Sequence, residues 1–290
     1  MKSWPADAID RIGKAVAQAW PGMTFELLSE IDSTNSELMR RARAGRTAPT
    51  LLVAETQSGG RGRLGRGWAG SAGDSLTFSI AATLAPVDWS GLSLAVGVAL
   101  ADALDPDRAL GIRIKWPNDL WVSERKLAGI LVETVAAAST GETNPRRRHA
   151  VIGIGINIGP QRAEGLSTPP AWLAEIEPDA SAPAVLLRIA APLVAALKAF
   201  ESMGFAPFHG RFDARDLLRD GPVTAAGPGA EPLVGTAQGV SADGALLVLT
   251  ADGMKAVTSS EVSVRPAQVP RSVGSEAGER RMFNGQQTLT

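Results

Sequence analysis

The 290-residue chain contains no cysteine. That absence excludes disulfides, thiolate nucleophiles, iron–sulfur clusters and every zinc site that uses cysteine. Histidine is almost as scarce, with His149 and His209 making up the total of 2. A three-histidine metal centre is therefore excluded, and a Ser-His-Asp triad would have to rest on one of the two. Both read as surface or structural residues. An excess of one charge is also missing. Lys and Arg total 29 against 30 Asp and Glu, for a net charge of −1, so nothing global points to nucleic acid or an acidic surface. Any polyanion chemistry must be local. No apolar run approaches the ~20 residues of a membrane span, and MKSWPADAIDR lacks the apolar stretch of a signal peptide. A cytoplasmic protein with neither a membrane nor a nucleic-acid partner is expected.

At ~100 to 200 residues per domain, the length allows one large domain or a large one with a small companion. Only six of the 29 basic residues are lysines. Against that arginine bias, Lys115 and Lys126 gain weight as chemical choices.

Ile9, Ile12, Val16 and Trp20 fall at near-helical spacing, and Pro21-Gly22 stops the helix they predict. A second helix is expected from about Ser36 to Ala44, with Thr34 and Glu37 spaced as a capping box and Gly45 as its stop. TLLVAET at 50–56 and SLTFSIA from Ser75 read as buried strands. A small-residue helix over Gly91–Leu104, short strands IRIKW and LWV, and then LAGILVETV and VIGIGINI complete a mixed α/β core. TGETNPRRRH at 140–149 reads as a solvated excursion, and 183–203 as the last long helix. After Asp220 the texture changes to short strands with Asp243-Gly244 and Asp252-Gly253 turns, the pattern of a small β-barrel. From Ala267 the chain is polar and aperiodic, and reads as a disordered tail.

Three segments carry chemistry. GGRGRLGRGW at 59–68 combines five glycines with Arg61, Arg63 and Arg66. Its backbone N–H groups and guanidinium forks suit phosphate or carboxylate. The pattern is neither a Walker nor a Rossmann loop. An RG-type segment binding RNA is the alternative reading. In KWPND, a lysine, an amide and a carboxylate (Lys115, Asn118, Asp119) suit ATP and Mg²⁺, although a plain hairpin corner has the same residues. Lys126 opens the apolar run LAGILVE, where it could equally snorkel. VIGIGINI ends in Asn157, and its two glycines weaken a strand unless a ligand or another backbone must come close. Ser33, Thr34, Asn35 and Gln57 add compact donors and acceptors that could also serve as caps or turn residues.

Taken together and in order, DSTNSEL, ETQSGGRGRLGRGW, KWPNDL, KLAGILVE and GIGINI closely resemble biotin protein ligases, over about residues 25–265. The resemblance implies an α+β protein. A mixed-sheet, class II synthetase-like (biotin/lipoate ligase) catalytic domain would span 1–219, an SH3-like barrel 220–266 and a disordered tail 267–290. It also implies two half-reactions: biotin and MgATP give biotinoyl-5′-AMP, then a lysine of the biotin carboxyl carrier domain of acetyl-CoA carboxylase attacks the mixed anhydride. Implied biotin-binding residues are Ser33, Thr34, Asn35, Gln57, Arg61, Gly62, Arg63, Trp68 and Lys126. For ATP or the adenylate they are Arg63, Arg66, Trp68, Lys115, Asn118 and Asn157. Arg63, Lys126 and Asp119 are the catalytic candidates, with Asp119 either steering Mg²⁺ or accepting a proton. No protein metal site is assigned, since magnesium enters with ATP.

Regulatory members of the family carry an N-terminal DNA-binding winged helix. With about 25 residues ahead of the catalytic domain, operon repression is not expected here. A monomer or homodimer is expected, with contacts at the edges of the catalytic sheet. Two departures from the family pattern, Phe212 for a common tryptophan and Ser260 for a common glycine, bear on domain packing. A lipoate ligase is the nearest rival reading, and a nonenzymatic RNA-binding protein is the rival from another class.

Overall fold

The computed structural model describes residues 4–68, 70–136, 144, 146–161, 168–227, 231–258 and 263–266. Helix α1 (Ala6–Ala19) buries Ile12 and Val16 and stops at Trp20. After it come β1 (Thr24–Ile31), α2 (Thr34–Arg43), β2 (Thr50–Gln57), β3 (Ser75–Leu84) and α3 (Leu92–Leu104). Next are β4 (Arg113–Lys115), β5 (Asp119–Val122), β6 (Arg125–Ala136) and β7 (Arg148–Asn157). The seven strands form one sheet in the order β1-β2-β3-β7-β6-β5-β4. Its β1–β2 pair is parallel and the other neighbours are antiparallel, the mixed sheet expected of the catalytic domain.

Strand alternation gives this sheet two unlike faces. Ile152, Ile154 and Ile156 of β7 join Leu76, Phe78 and Ile80 of β3 and Leu51 and Val53 of β2 in the main core, packed with α1, α3 and α4 (Ala182–Met203). On the opposite face, Val151, Leu52 and Ala81 form a small cluster with Leu38 and Met39 of α2. Helix α2 is short and covers only part of that face. The 22-residue α4, in which an 18-residue stretch has mean hydropathy 1.7, has the length and composition of a membrane span, contrary to the expectation that no apolar run approaches one. Here it packs against α1 and α3 as a core helix.

The start of α2 differs from expectation. Its N-cap is Ser33, whose Oγ accepts from the Ser36 N–H at 3.4 Å. The expected Thr34/Glu37 capping box does not form, because the Thr34 hydroxyl turns inward to Ser79 at 2.7 Å. Glu37 instead pairs with Arg40 and Arg41, each at 2.8 Å. Gly45, with φ of 78°, supplies the expected stop.

A short helix that periodicity did not suggest, α5 (Ala206–Asp213), buries Phe208 and Phe212. The Phe212 ring sits edge-on to Phe205 at 6.3 Å, so the smaller aromatic still fills core space. His149 is buried against Thr83 at 3.1 Å, and burial pushes its pKa down. His209 bonds the Val240 carbonyl at 2.9 Å. Both contacts fit structural roles.

The second sheet comprises β8 (Pro222–Ala226), β9 (Leu233–Val240), β10 (Leu246–Thr250), β11 (Gly253–Val257) and β12 (Ser263–Pro266), antiparallel in the order β11-β10-β9-β8-β12. The expected barrel is an open sheet among the described residues, with β11 and β12 as its edges. Gly244 and Gly253 make the expected turns with φ of 87° and 102°. The Trp116 indole N–H donates to the Gly244 carbonyl at 3.0 Å, tying this sheet to the KWPND turn. Ser260, the 267–290 tail and most of the 140–149 excursion lie outside the described residues.

Candidate active site

Between β2 and β3 the arginine-rich segment folds into a small hairpin. Arg61 bridges Gly67, the Gly62 N–H donates to the Arg66 carbonyl at 2.7 Å, and the Trp68 N–H donates to the Gly60 carbonyl at 2.9 Å. A 3-10 turn over Arg63–Gly65 forms the tip, with Leu64 at φ 56°. Gly60 must be glycine for this closure, since a Cβ there would lie 2.3 Å from the Trp68 carbonyl oxygen.

The hairpin leans over the uncovered face of the main sheet, whose floor is stripped of side chains. Register places Gly129 of β6 beside Gly155 of β7, and Gly153 two residues along the same face. The Trp68 ring rests on this floor: a Cβ at Gly155 would come within 2.2 Å of it, and one at Gly129 within 3.1 Å. The two glycines of VIGIGINI that look costly in a strand are thus explained by close approach. The approaching groups are the protein's own side chains, Trp68 at Gly155 and Asn35 at Gly153. The Trp68 indole N–H is buried without a hydrogen-bond partner.

An open cleft lies between hairpin and floor. Among the expected residues it brings together Ser33, Thr34, Asn35, Gln57, Arg61, Gly62, Arg63, Trp68, Asn118 and Lys126. At one end the Thr34 N–H donates to Gln57 Oε1 at 2.7 Å. At the other end Arg63 donates to Asn118 Oδ1 at 3.2 Å, while Asn118 Nδ2 donates to the Ile130 carbonyl at 2.7 Å. Burial lowers the pKa of Arg63 most; the Asp119 charge opposes that shift and Arg66 adds to it. Lys126 Nζ lies 2.8 Å from Asp119 and 5.6 Å from the Trp68 ring centroid, which is more than snorkelling along an apolar strand requires.

Four expected residues stand outside the lining. Asp119 sits behind Lys126 as its ion partner. Arg66 is exposed on the hairpin. Lys115 lies over the Trp121 ring at 4.7 Å. Asn157 is buried, and its amide donates to the carbonyls of Lys126 and Ala171 at 3.2 and 2.9 Å. Its amide therefore clamps the backbone that carries Lys126. Thr77 and Phe78 line the cleft without having been singled out. Alternation within SLTFSIA could have pointed to Thr77, which shares a face with Ser75 and Ser79.

The cleft thus gathers compact polar side chains at one end and two cationic side chains with an amide at the other. Comparison with known proteins gives the family. Residues 27–157 match the biotin/lipoate A/B protein ligase family, and residues 221–265 match the biotin protein ligase C-terminal domain. The bifunctional ligase/repressor BirA of Escherichia coli is 37% identical over 85% of this chain and 76% of its own. A biotin–acetyl-CoA-carboxylase ligase of Mycobacterium tuberculosis is 31% identical over 77% of this chain and 82% of its own. The biotin protein ligase of Aquifex aeolicus, solved with biotin and ATP, superposes with a TM-score of 0.70 at 30% identity, covering 86% of this chain and 100% of that one. The chain belongs to the biotin protein ligases of the biotin/lipoate A/B protein ligase family.

Proposed function

We propose that this cleft performs the ATP-dependent activation of biotin and its transfer to a carrier lysine, with the following division of labour. The ureido ring of biotin, with two N–H donors and one carbonyl acceptor, lies at the Ser33, Thr34, Asn35 and Gln57 end, beside the Arg61-Gly62 backbone. Its valeryl carboxylate points toward Arg63 and Lys126. A carboxylate oxygen attacks the α-phosphorus of ATP, the bond to the β-phosphate oxygen breaks, and pyrophosphate leaves with biotinoyl-AMP formed. Arg63 and Lys126 neutralise the approach of two anions and the charge that grows on the phosphoryl oxygens. Arg66 and Lys115 extend the cationic rim for the outer phosphates, Asn118 orients Arg63, and Asn157 supports the Lys126 backbone. The unpartnered Trp68 N–H is a donor that a ligand oxygen can satisfy.

Magnesium takes one or two carboxylates plus phosphate oxygens. Asp119, the carboxylate paired with Lys126, fits that limited demand and would help hold the ion, which supplies charge neutralisation on the phosphates. In the second step the carrier amine attacks the acyl carbon and AMP departs. Asp119 is also the candidate to take the amine proton. The carrier is the biotin carboxyl carrier domain of acetyl-CoA carboxylase, and the setting cytoplasmic. Residues 1–219 act as the catalytic domain, and the smaller 220–266 domain buttresses the KWPND turn.

The observation that supports this reading best is the convergence on one cleft of Thr34 and Gln57 at one end and Arg63, Asn118 and Lys126 at the other. Intact mass spectrometry of a recombinant carrier domain tests it. One added biotin, dependent on MgATP, is expected. Addition of lipoate but not biotin would overturn the substrate assignment. Lys126→Ala should abolish pyrophosphate release in a protein that still folds; normal release would return Lys126 to the snorkelling reading.

A further inference from the structure

Behind the cleft a chain of hydrogen bonds begins at Glu133, a residue of β6 that does not line the cavity. One carboxylate oxygen accepts from Arg61 Nη2 at 2.9 Å, and the other accepts from Asn35 Nδ2 at 2.9 Å. Asn35 Oδ1 accepts from the Ser79 hydroxyl at 2.7 Å. Ser79 Oγ lies 2.7 Å from Thr34 Oγ1. Asn35, Ser79 and Thr34 are buried at 3%, 0% and 3% exposure, so the chain runs through the interior.

Counting protons gives this chain a direction. A carboxylate only accepts, so Asn35 must turn its NH₂ toward Glu133 and its oxygen toward Ser79. Ser79 has a single proton and gives it to Asn35. The 2.7 Å contact between Ser79 and Thr34 then needs Thr34 as donor. The longer contact from Thr34 Oγ1 to Gln57 Oε1, at 3.2 Å, goes without that proton, and Gln57 Oε1 already accepts the Thr34 N–H. With its proton committed inward, Thr34 Oγ1 meets the cleft with lone pairs alone. It accepts from a ligand N–H and repels a ligand oxygen.

Resting on the proposed function, we propose that Glu133 is a positioning residue for biotin recognition. Its carboxylate sets the direction of the Asn35–Ser79–Thr34 chain and fastens the arginine hairpin to the same chain through Arg61. Two donors on opposite sides require an acceptor at each end of the bridging group. Glutamate meets that need and glutamine does not. Gly153 belongs to the device as well, since a Cβ there would lie 2.4 Å from Asn35 Oδ1.

The test is a substitution cycle at positions 35 and 133, read by steady-state kinetics with biotin varied and by thermal denaturation without ligand. In Glu133→Gln, Arg61 and Asn35 compete for one oxygen. The biotin KM should rise about tenfold, the size of one lost hydrogen bond, with kcat within about threefold of wild type. Asn35→Asp alone sets two carboxylates against each other and should do at least as much damage. The double variant, Asn35→Asp with Glu133→Gln, restores the order. The amide nitrogen introduced at position 133 can donate to the carboxylate introduced at position 35, while the amide oxygen still accepts from Arg61. KM and melting temperature should both return toward wild type, with KM within about threefold. A wild-type KM in Glu133→Gln, or a double variant no better than that single one, overturns the proposal. If wild-type protein fails to bind biotin, the functional reading falls and the recognition role with it. The ligand-free melting cycle then separately decides whether Glu133 directs the chain.

Discussion

Along β7, Ile152, Ile154 and Ile156 face the helical layer, while Val151, Gly153 and Gly155 face α2 and the cleft. The same ten residues therefore serve two purposes at a period of two. On one face, bulk is kept and stability follows from packing. On the other, bulk is removed so that Trp68 and Asn35 can lie against bare backbone. Neighbouring β6 repeats the division, with Ile130 in the main core and Gly129 on the floor. Activity and stability should therefore separate by residue parity, and substitutions on alternate positions can pull them apart.

The largest separation is expected at the hairpin. Arg63→Ala should lower biotin-dependent pyrophosphate release about 10²- to 10³-fold, the scale of removing one donor to a developing oxyanion. Its melting temperature should stay near wild type, since no core contact is lost. Holding biotinoyl-AMP like wild type would remove Arg63 from the chemistry.

Next comes the opposite case on the helical face. Ile152→Ala should cost about 2 to 5 kcal/mol in chemical denaturation through the lost transfer energy and the cavity left behind. Turnover per folded molecule should be unchanged when assayed below the transition. A drop in kcat at full folding would show that the two faces are coupled.

A smaller effect is expected where the cleft face is altered without touching a charge. Gly155→Ala pushes Trp68 off the floor, because the new Cβ would lie 2.2 Å from its ring. Roughly a tenfold loss in kcat/KM is expected, in the range of other small packing changes at a binding surface. Tryptophan fluorescence should shift as the ring leaves its seat. Unchanged fluorescence and rate would mean the ring sits elsewhere in solution.

The smallest effect lies at an exposed ion pair, where Arg40 holds the Asp32 pKa down to about 2 from the ordinary 3.8. A lowered folded-state pKa contributes stability above the unfolded value and loses it as pH falls through the folded one. The contribution should therefore disappear between about pH 4 and pH 2. Both side chains are about half exposed, at 49% and 50%, so Asp32→Asn should cost below about 1 kcal/mol and less at high salt. A pH-denaturation profile of the two proteins reads the difference directly.

Much of this was legible in the sequence because each signal was local. Apolar runs bounded by turns located six of the seven strands of the main sheet, though not β1 with its charged Glu26 and Glu30, and the Asp-Gly pairs located the C-terminal hairpins. The glycines of GIGIN announced a close approach, although they could not say that Trp68, from a loop almost ninety positions earlier, makes it. What was not legible depended on register. Glu133 looks like the polar end of an apolar strand until β6 and β7 align and set it beside Asn35. Asn157 looks like a ligand contact until its amide is seen to be spent on two carbonyls. Ser33 displaced Thr34 as the helix cap for the same kind of reason, since Ser79 offers Thr34 an interior partner that no spacing rule could foresee.

Biotin activation in this cleft is tested most directly by a single-turnover experiment in which enzyme, in excess over ATP, is mixed with magnesium and biotin and the released pyrophosphate is counted. One pyrophosphate per ATP is expected, with no release without biotin and with biotinoyl-AMP retained on the protein until carrier is added. Pyrophosphate or phosphate released without biotin, or no release with it, would contradict the assignment of this glycine-floored cleft to biotin activation.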